Sequence, residues 1–302
     1  MIDLANDVLR GSYPPLVTPL RDGEVDTETF AHLVEVQVRE GSHGVVVAGT
    51  TGEPTTLTTR ERIRLLEVAV KASAGRIPVV AATGSQSLAE TLELTAAAEK
   101  AGAQAALVLT PYFVKPPPRG LVDYFVEVGR STRLPLLVYH IPGRAAVEVK
   151  PDTVAQIAER LPNLVGLKHA ANDLGFVSAV LHRLGPAFRV FAGLEELSFP
   201  MLAIGASGLM NAVGNLAPRR VADLYRAAAR GDAATARRLH DELFELNQAV
   251  FFDTNPIPIK YMMKRIGLLP SEEHRLPMVS ATPELAARLD GVLRRAGLLA
   301  AA

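Results

Sequence analysis

Three short stretches hold residues whose types and spacing could do chemistry. LVGLKHA (164–170) ends an apolar run in Lys168. An ammonium placed at the end of a buried strand is penalised by desolvation, which lowers its pKa and makes it a usable amine nucleophile toward carbonyl carbon. Taken alone, a strand-terminal lysine also snorkels to solvent. YHIPGR (139–144) supplies Tyr139, a phenol able to relay protons beside such an amine, and Arg144, a fork for a carboxylate. Each has a plain alternative, as an amphipathic packing residue and as a solvated loop arginine. GTTGE (Gly49, Thr50, Thr51, Gly52, Glu53) offers backbone N–H groups and two hydroxyls that could cradle a carboxylate or phosphate. It also reads as a glycine-bearing turn before a helix.

These groups must be positioned by elements distant in sequence. The strand candidates are PPLVTPL (14–20), GVVVAG (44–49), IPVVAATG (77–84), QAALVLT (104–110), LPLLVYH (134–140), LVGLKH (164–169), FRVFAG (188–193) and SGLMNA (207–212). Amphipathic segments with start signals separate them. Thr58 with Glu61 and Ser87 with Glu90 fit capping boxes, and Pro151, Pro218 and Pro283 suit a first helical turn. Eight strands alternating with helices predict an α/β fold, a (β/α)8 barrel over residues 1–231. No dinucleotide glycine fingerprint follows the first strand, which weighs against a doubly wound sheet. From Asp232 to the end only helices are expected: one bearing Leu239, Leu243, Leu246 and Val250, one from Pro256 to Ile266, and one after Thr282-Pro283. Residues 232–302 thus form a helical extension packed on the barrel. In such a barrel the chemistry lies where strands end, and GTTGE, YHIPGR and Lys168 all fall there.

Composition narrows the classes. Of 302 residues 48% are hydrophobic, and Lys+Arg and Asp+Glu are 32 each, so nothing points to nucleic acid or an anionic membrane. The absence of cysteine excludes disulfides, thiolate metal sites and a thiol nucleophile. The seven histidines include no pair at the i, i+4 spacing of a helical zinc motif, so no metal site is expected. MIDLANDVLRGSYPP has no basic region leading into an apolar core, and no run approaches the ~20 apolar residues of a spanning helix. A cytoplasmic protein is the expectation.

GTTGE, YHIPGR and GLKHA, with Lys168 falling 29 residues after Tyr139, resemble the dihydrodipicolinate synthase/N-acetylneuraminate lyase family of class I aldolases. The likeness extends to SYPPLVTPL, to TPYF (110–113), and to NPIPIKYMMKRIGL and RLPM (275–278) near the end, stretches most like the synthase branch. The resemblance implies that Lys168 forms a Schiff base with the keto carbon of pyruvate. It further implies that Tyr139 relays protons with Thr50 as hydroxyl partner, and that Thr51 and the Gly49 turn hold the pyruvate carboxylate. Gly193 and Met210 then line the keto-acid pocket, and Arg144 takes the carboxylate of the aldehyde. Neither metal nor organic cofactor is implied. The expected partners are pyruvate with a small aldehyde or 2-keto acid, and further copies of the chain, as a homotetramer built from two dimers or as a homodimer.

Some positions depart from the family. Phe113 stands where a second tyrosine normally enters a neighbour's proton relay, and a phenyl ring cannot move a proton. His140 and His169 follow Tyr139 and Lys168; each could titrate near neutrality or simply pack. Glu90 and Tyr112 remain from the family's lysine-feedback site, but Thr59, Arg62 and Gln86 replace its other residues, so inhibition by lysine is not expected. The motifs leave open a synthase acting on aspartate semialdehyde and an aldolase releasing succinic semialdehyde from 2,4-dihydroxyhept-2-ene-1,7-dioate, or another 2-keto-3-deoxy acid aldolase or dehydratase. A pyruvate-binding regulatory protein is the non-enzyme alternative; intact Thr50, Tyr139 and Lys168 speak against it.

Overall fold

Short aliphatic runs become parallel strands here because both of their faces are covered, one by the opposite wall of a barrel and the other by helices. In the computed structural model, residues 4–5 and 7–300 are described. The chain opens with β1 (Gly11–Ser12) and a small antiparallel hairpin of β2 (Leu20–Arg21) and β3 (Glu24–Val25). There follow α1 (Thr27–Arg39), β4 (Val45–Val47), α2 (Thr59–Ser73), β5 (Val79–Ala82), α3 (Leu88–Ala101) and β6 (Ala105–Leu109). Next come α4 (Pro118–Arg130), β7 (Leu136–His140), the short α5 (Pro142–Ala145), α6 (Pro151–Arg160) and β8 (Leu164–His169). The barrel is completed by α7 (Leu174–Leu184), β9 (Arg189–Ala192), α8 (Ser198–Ala203), β10 (Gly208–Leu209) and α9 (Pro218–Ala229). Three further helices, α10 (Ala233–Ala249), α11 (Ile257–Arg265) and α12 (Pro283–Arg295), end the described chain.

All barrel strands are parallel, in the neighbour order β1-β10-β9-β8-β7-β6-β5-β4, and a parallel bridge between Pro15 and Val46 joins the two outermost. The fold is a (β/α)8 TIM barrel with C-terminal helices. The first strand lies earlier than the 14–20 expected. Prolines 14, 15 and 19 carry no amide hydrogen for the ladder. Pairing therefore uses the amides of Gly11, Tyr13 and Leu16, and the chain has left the barrel by Leu20.

Side-chain alternation splits the apolar residues into two sets. Val46, Val80, Leu107, Leu137, Tyr139 and Phe191 pack together inside the barrel, while Val45, Val79, Val108, Leu136, Val138 and Leu164 meet the helices. One irregularity matters for the site. Leu136 pairs with Leu164, but Leu137 pairs with Gly166, so Val165 is an extra residue in β8. Leu164 faces the helices, and strict alternation would send Lys168 the same way. The bulge reverses the alternation, and Lys168 enters the barrel. Gly166 permits it: a Cβ there would stand 2.1 Å from the Arg189 carbonyl oxygen.

Caps fix the helices at the lengths the site needs. Thr58 and Glu61 close a full capping box on α2. Ser87 caps α3, but Glu90 turns away to Ser85, Thr59 and Arg62, so only half of that box forms. Pro151, Pro218 and Pro283 each begin a helix, as their fixed φ favours. Among the described residues no helix is long and apolar enough to cross a membrane.

Candidate active site

Lys168 and Tyr139 stand opposite one another at the ends of β8 and β7. Lys168 is only 4% exposed, and its Nζ lies 4.4 Å from the centre of the Tyr139 ring. The Tyr139 hydroxyl is 3.2 Å from Thr50 Oγ1. Thr50 arrives from β4 through Ala48, whose φ is 55°, and an extended Gly49, after which Thr50–Gly52 forms a single 3-10 turn. Thr51 is buried, and its Oγ1 accepts a hydrogen bond from Asn255 Nδ2 at 3.0 Å. With that lone pair used, the Thr51 proton is free to donate toward an anion.

Gly193 follows β9, and a Cβ there would lie 2.8 Å from Lys168 Cε. The missing side chain is the space in which the lysine lies. Met210 follows β10 and is buried. Arg144, on α5, donates from Nη2 to the Asn255 carbonyl at 3.3 Å. Thr50, Thr51, Tyr139 and Lys168 line one cavity of about 40 Å³, with Arg144, Gly193 and Met210 in the same wall. Gly49 lies outside that wall, where a Cβ would be 3.4 Å from Pro15. The cavity shares Thr50, Ile141, Arg144 and Asn255 with a wider vestibule of about 210 Å³, whose rim includes Tyr112, Glu53 and Met278.

Several residues here went unassigned in the sequence. Glu195, two positions after Gly193, lines the cavity, and burial pushes its carboxyl up to about 7. One of its oxygens accepts from the Ala212 amide at 2.5 Å, and the other has no partner. Asn255 and Phe251, from the segment between α10 and α11, also line the cavity. The local signals were present, an acidic residue beside a strand-end glycine and the NPIPIK stretch, but neither carries a direction in space.

The two histidines do not reach the cavity. His140 and His169 pair in register on the helix side of the sheet, with Nδ1 atoms 3.1 Å apart and both rings stacked on Phe176. Burial holds His140 down to about 4 and also lowers His169, so both are neutral at pH 7. Phe113, at 89% exposure and φ 73°, points into solvent, while Tyr112 turns into the vestibule.

A family model described as the dihydrodipicolinate synthetase family matches residues 8–296. The chain belongs to that family. A 4-hydroxy-tetrahydrodipicolinate synthase of Thermus thermophilus is 50% identical over 293 residues, covering 97% of this chain and 98% of the relative. A solved dihydrodipicolinate synthase of Aquifex aeolicus superposes with a TM-score of 0.94 at 40% identity, covering 96% of this chain and 98% of that one. A structure described as the first monomeric dihydrodipicolinate synthase variant superposes equally well, with a TM-score of 0.94 at 35% identity, covering 97% and 99%. Family membership thus rests on the whole barrel and its C-terminal helices together.

Proposed function

We propose that this protein is a Schiff-base-forming lyase that joins pyruvate to aspartate semialdehyde, a 4-hydroxy-tetrahydrodipicolinate synthase. The observation that carries the reading is the register pair Tyr139–Lys168, with the amine over the ring and Thr50 on the phenol. In its neutral form Lys168 Nζ adds to the keto carbon of pyruvate, and loss of water gives an imine. Once protonated, the imine draws electrons from the adjoining methyl group, which gives up a proton to form an enamine. The enamine carbon attacks the aldehyde, and the new alkoxide takes its proton from Tyr139, which recovers one through the Thr50 hydroxyl. The amino group brought in by aspartate semialdehyde then adds to the imine carbon, closing a ring, and Lys168 leaves as the free amine with the proton that the incoming nitrogen gives up.

Thr51 and the turn amides hold the pyruvate carboxylate on this reading, with Gly49 setting the turn's entry and Gly193 and Met210 shaping the pocket. Arg144, on the wall shared with the vestibule, meets the carboxylate of the aldehyde. The lysine is itself the electron sink, so the reaction calls on no metal or organic cofactor. The full-length relatives named as synthases favour aspartate semialdehyde over the succinic semialdehyde of the catabolic aldolase. The enzyme then works in the cytoplasm, as a homotetramer of paired dimers or a homodimer, with Phe113 an apolar anchor between copies. Equilibrium sedimentation reads that assembly.

Borohydride reduction in the presence of pyruvate tests the imine: Lys168 gains a stable adduct, and Lys168→Ala gains none. Steady-state assays with the two semialdehydes then decide the substrate. Turnover of neither, beside rapid turnover of a sugar acid, removes the proposal.

A further inference from the structure

Glu53 closes the turn that carries Thr50 and Thr51, with backbone angles in the left-handed region (φ 54°, ψ 44°). A residue with a Cβ resists that region, so contacts from elsewhere must hold it. Its carboxylate is 5% exposed and gripped on both oxygens. Lys260 Nζ, on α11, donates to Oε2 at 2.9 Å, and His274 Nδ1 lies 2.8 Å from Oε1. Lys260 is wholly buried and donates also to the Glu273 carbonyl at 2.5 Å. Burial by itself pushes Glu53 up; the His274 hydrogen bond and the Lys260 charge outweigh it and keep the carboxylate ionised. Neither Lys260 nor His274 lines the cavity. A well-packed apolar cluster often replaces a buried ion pair at no loss of stability, so a buried Lys260–Glu53 pair with His274 hydrogen-bonded to it points to fixing of geometry.

We propose that Lys260 and His274 are positioning residues: clamping the Glu53 carboxylate, they hold the Thr50–Gly52 turn so that Thr51 and its neighbouring amides face the keto-acid carboxylate. This deepens the pyruvate reading and rests on it. Within the turn run only the Gly52 N–H to Gly49 and Glu53 N–H to Thr50 bonds, while Thr18 Oγ1 donates to the Gly52 carbonyl at 2.7 Å and Asn255 and Tyr139 bond the Thr51 and Thr50 hydroxyls. The clamp fixes the far end of the turn, at the strained residue whose side chain those bonds leave untouched, from a segment more than 200 residues away.

The test uses Lys260→Met, which keeps most of the packing volume, and His274→Gln, a milder variant that leaves the Lys260 pair intact should the first not fold. Two quantities are read: hydrogen exchange of the amides at 51–53, and the pyruvate concentration giving half-maximal borohydride trapping. Both rise about tenfold in Lys260→Met and several-fold in His274→Gln, the scale of a lost charge-assisted hydrogen bond, while exchange in β7 and the aldehyde KM stay unchanged. Unchanged exchange at 51–53 overturns the clamp, and so does faster exchange with unshifted half-saturation. If the unmodified enzyme traps no pyruvate, the pyruvate reading fails by itself, and the exchange rates alone then decide the clamp.

Discussion

Asn255 donates its side-chain amide to Thr51 while its backbone carbonyl accepts from Arg144, so one residue orients the two groups that the proposed reaction assigns to carboxylates. Asn255→Ala removes the first bond and lets the Thr51 proton turn from the cavity. The expected result is a rise of about tenfold in the pyruvate KM with a smaller loss in kcat, the size of one hydrogen bond to a charged group. Steady-state kinetics checks it, and an unchanged pyruvate KM removes Asn255 from the site.

Tyr139→Phe separates imine formation from proton transfer. The ring stays, so Lys168 keeps its neighbour and borohydride still traps pyruvate. The hydroxyl is gone, and kcat falls by about 10²–10⁴-fold, the usual worth of a placed acid–base group. Turnover near the unmodified rate would show the proton moving by another route.

Two glycines predict opposite failures. In Gly193→Ala the new methyl stands 2.8 Å from Lys168 Cε, 2.9 Å from Ala170 Cβ and 3.1 Å from the His169 carbonyl oxygen, so the lysine end and the loop after β9 must both shift, and the protein folds with reduced stability and loses activity. In Gly166→Ala the methyl meets backbone, the Arg189 carbonyl at 2.1 Å, so the strand cannot form and soluble protein is lost. Expression, thermal melting and kcat on the two variants separate these outcomes.

Acid should destabilise the fold through its buried imidazoles. Burial holds His140 and His43 down to about 4, so below their ordinary value near 6.5 the unfolded chain binds protons that the folded chain refuses. Stability is complete above about pH 6.5 and is lost as pH falls toward 4, by on the order of 3 kcal/mol per histidine. His140→Asn is expected to flatten that slope in chemical denaturation at several pH values. A slope equal to that of the unmodified protein would mean that the imidazole pair takes up protons without unfolding.

Lysine is not expected to inhibit. Arg62, only 6% exposed, directs Nη1 at the Glu90 carboxylate from 3.5 Å and Nη2 at the Ala82 carbonyl. A ligand ammonium seeking Glu90 meets a guanidinium already there. Initial rates with millimolar lysine check this, and a saturable drop in rate would refute it.

The barrel was legible because its strands are near-continuous β-branched or aliphatic runs and its helices carry caps and first-turn prolines, signals read within a dozen residues. Lys168, Tyr139 and the GTTGE turn were legible for a related reason, since strand ends in such a barrel share a rim. The first strand was misplaced because hydropathy does not register that Pro14, Pro15 and Pro19 withhold ladder donors. Glu195, Asn255, Lys260 and His274 escaped because their meaning is a partner far along the chain: the Lys260–Glu53 pair spans 207 residues and leaves no local pattern. Phe113 was noticed as a missing proton carrier, but its outward course depends on a backbone angle that composition does not announce.

The extra residue in β8 gives the strand slack in its length. With Val165 removed, Leu164 still pairs with Leu136 and Gly166 with Leu137, and plain alternation from Leu164 turns Gly166 inward, Leu167 outward and Lys168 inward. Such a deletion flattens the bulge and leaves the amine in the cavity, with the histidine after it still against the helices. A side chain added at Gly166 is the graver change, because it meets backbone with no room to yield, whereas a single lost codon at Val165 keeps Lys168 aimed where the chemistry is.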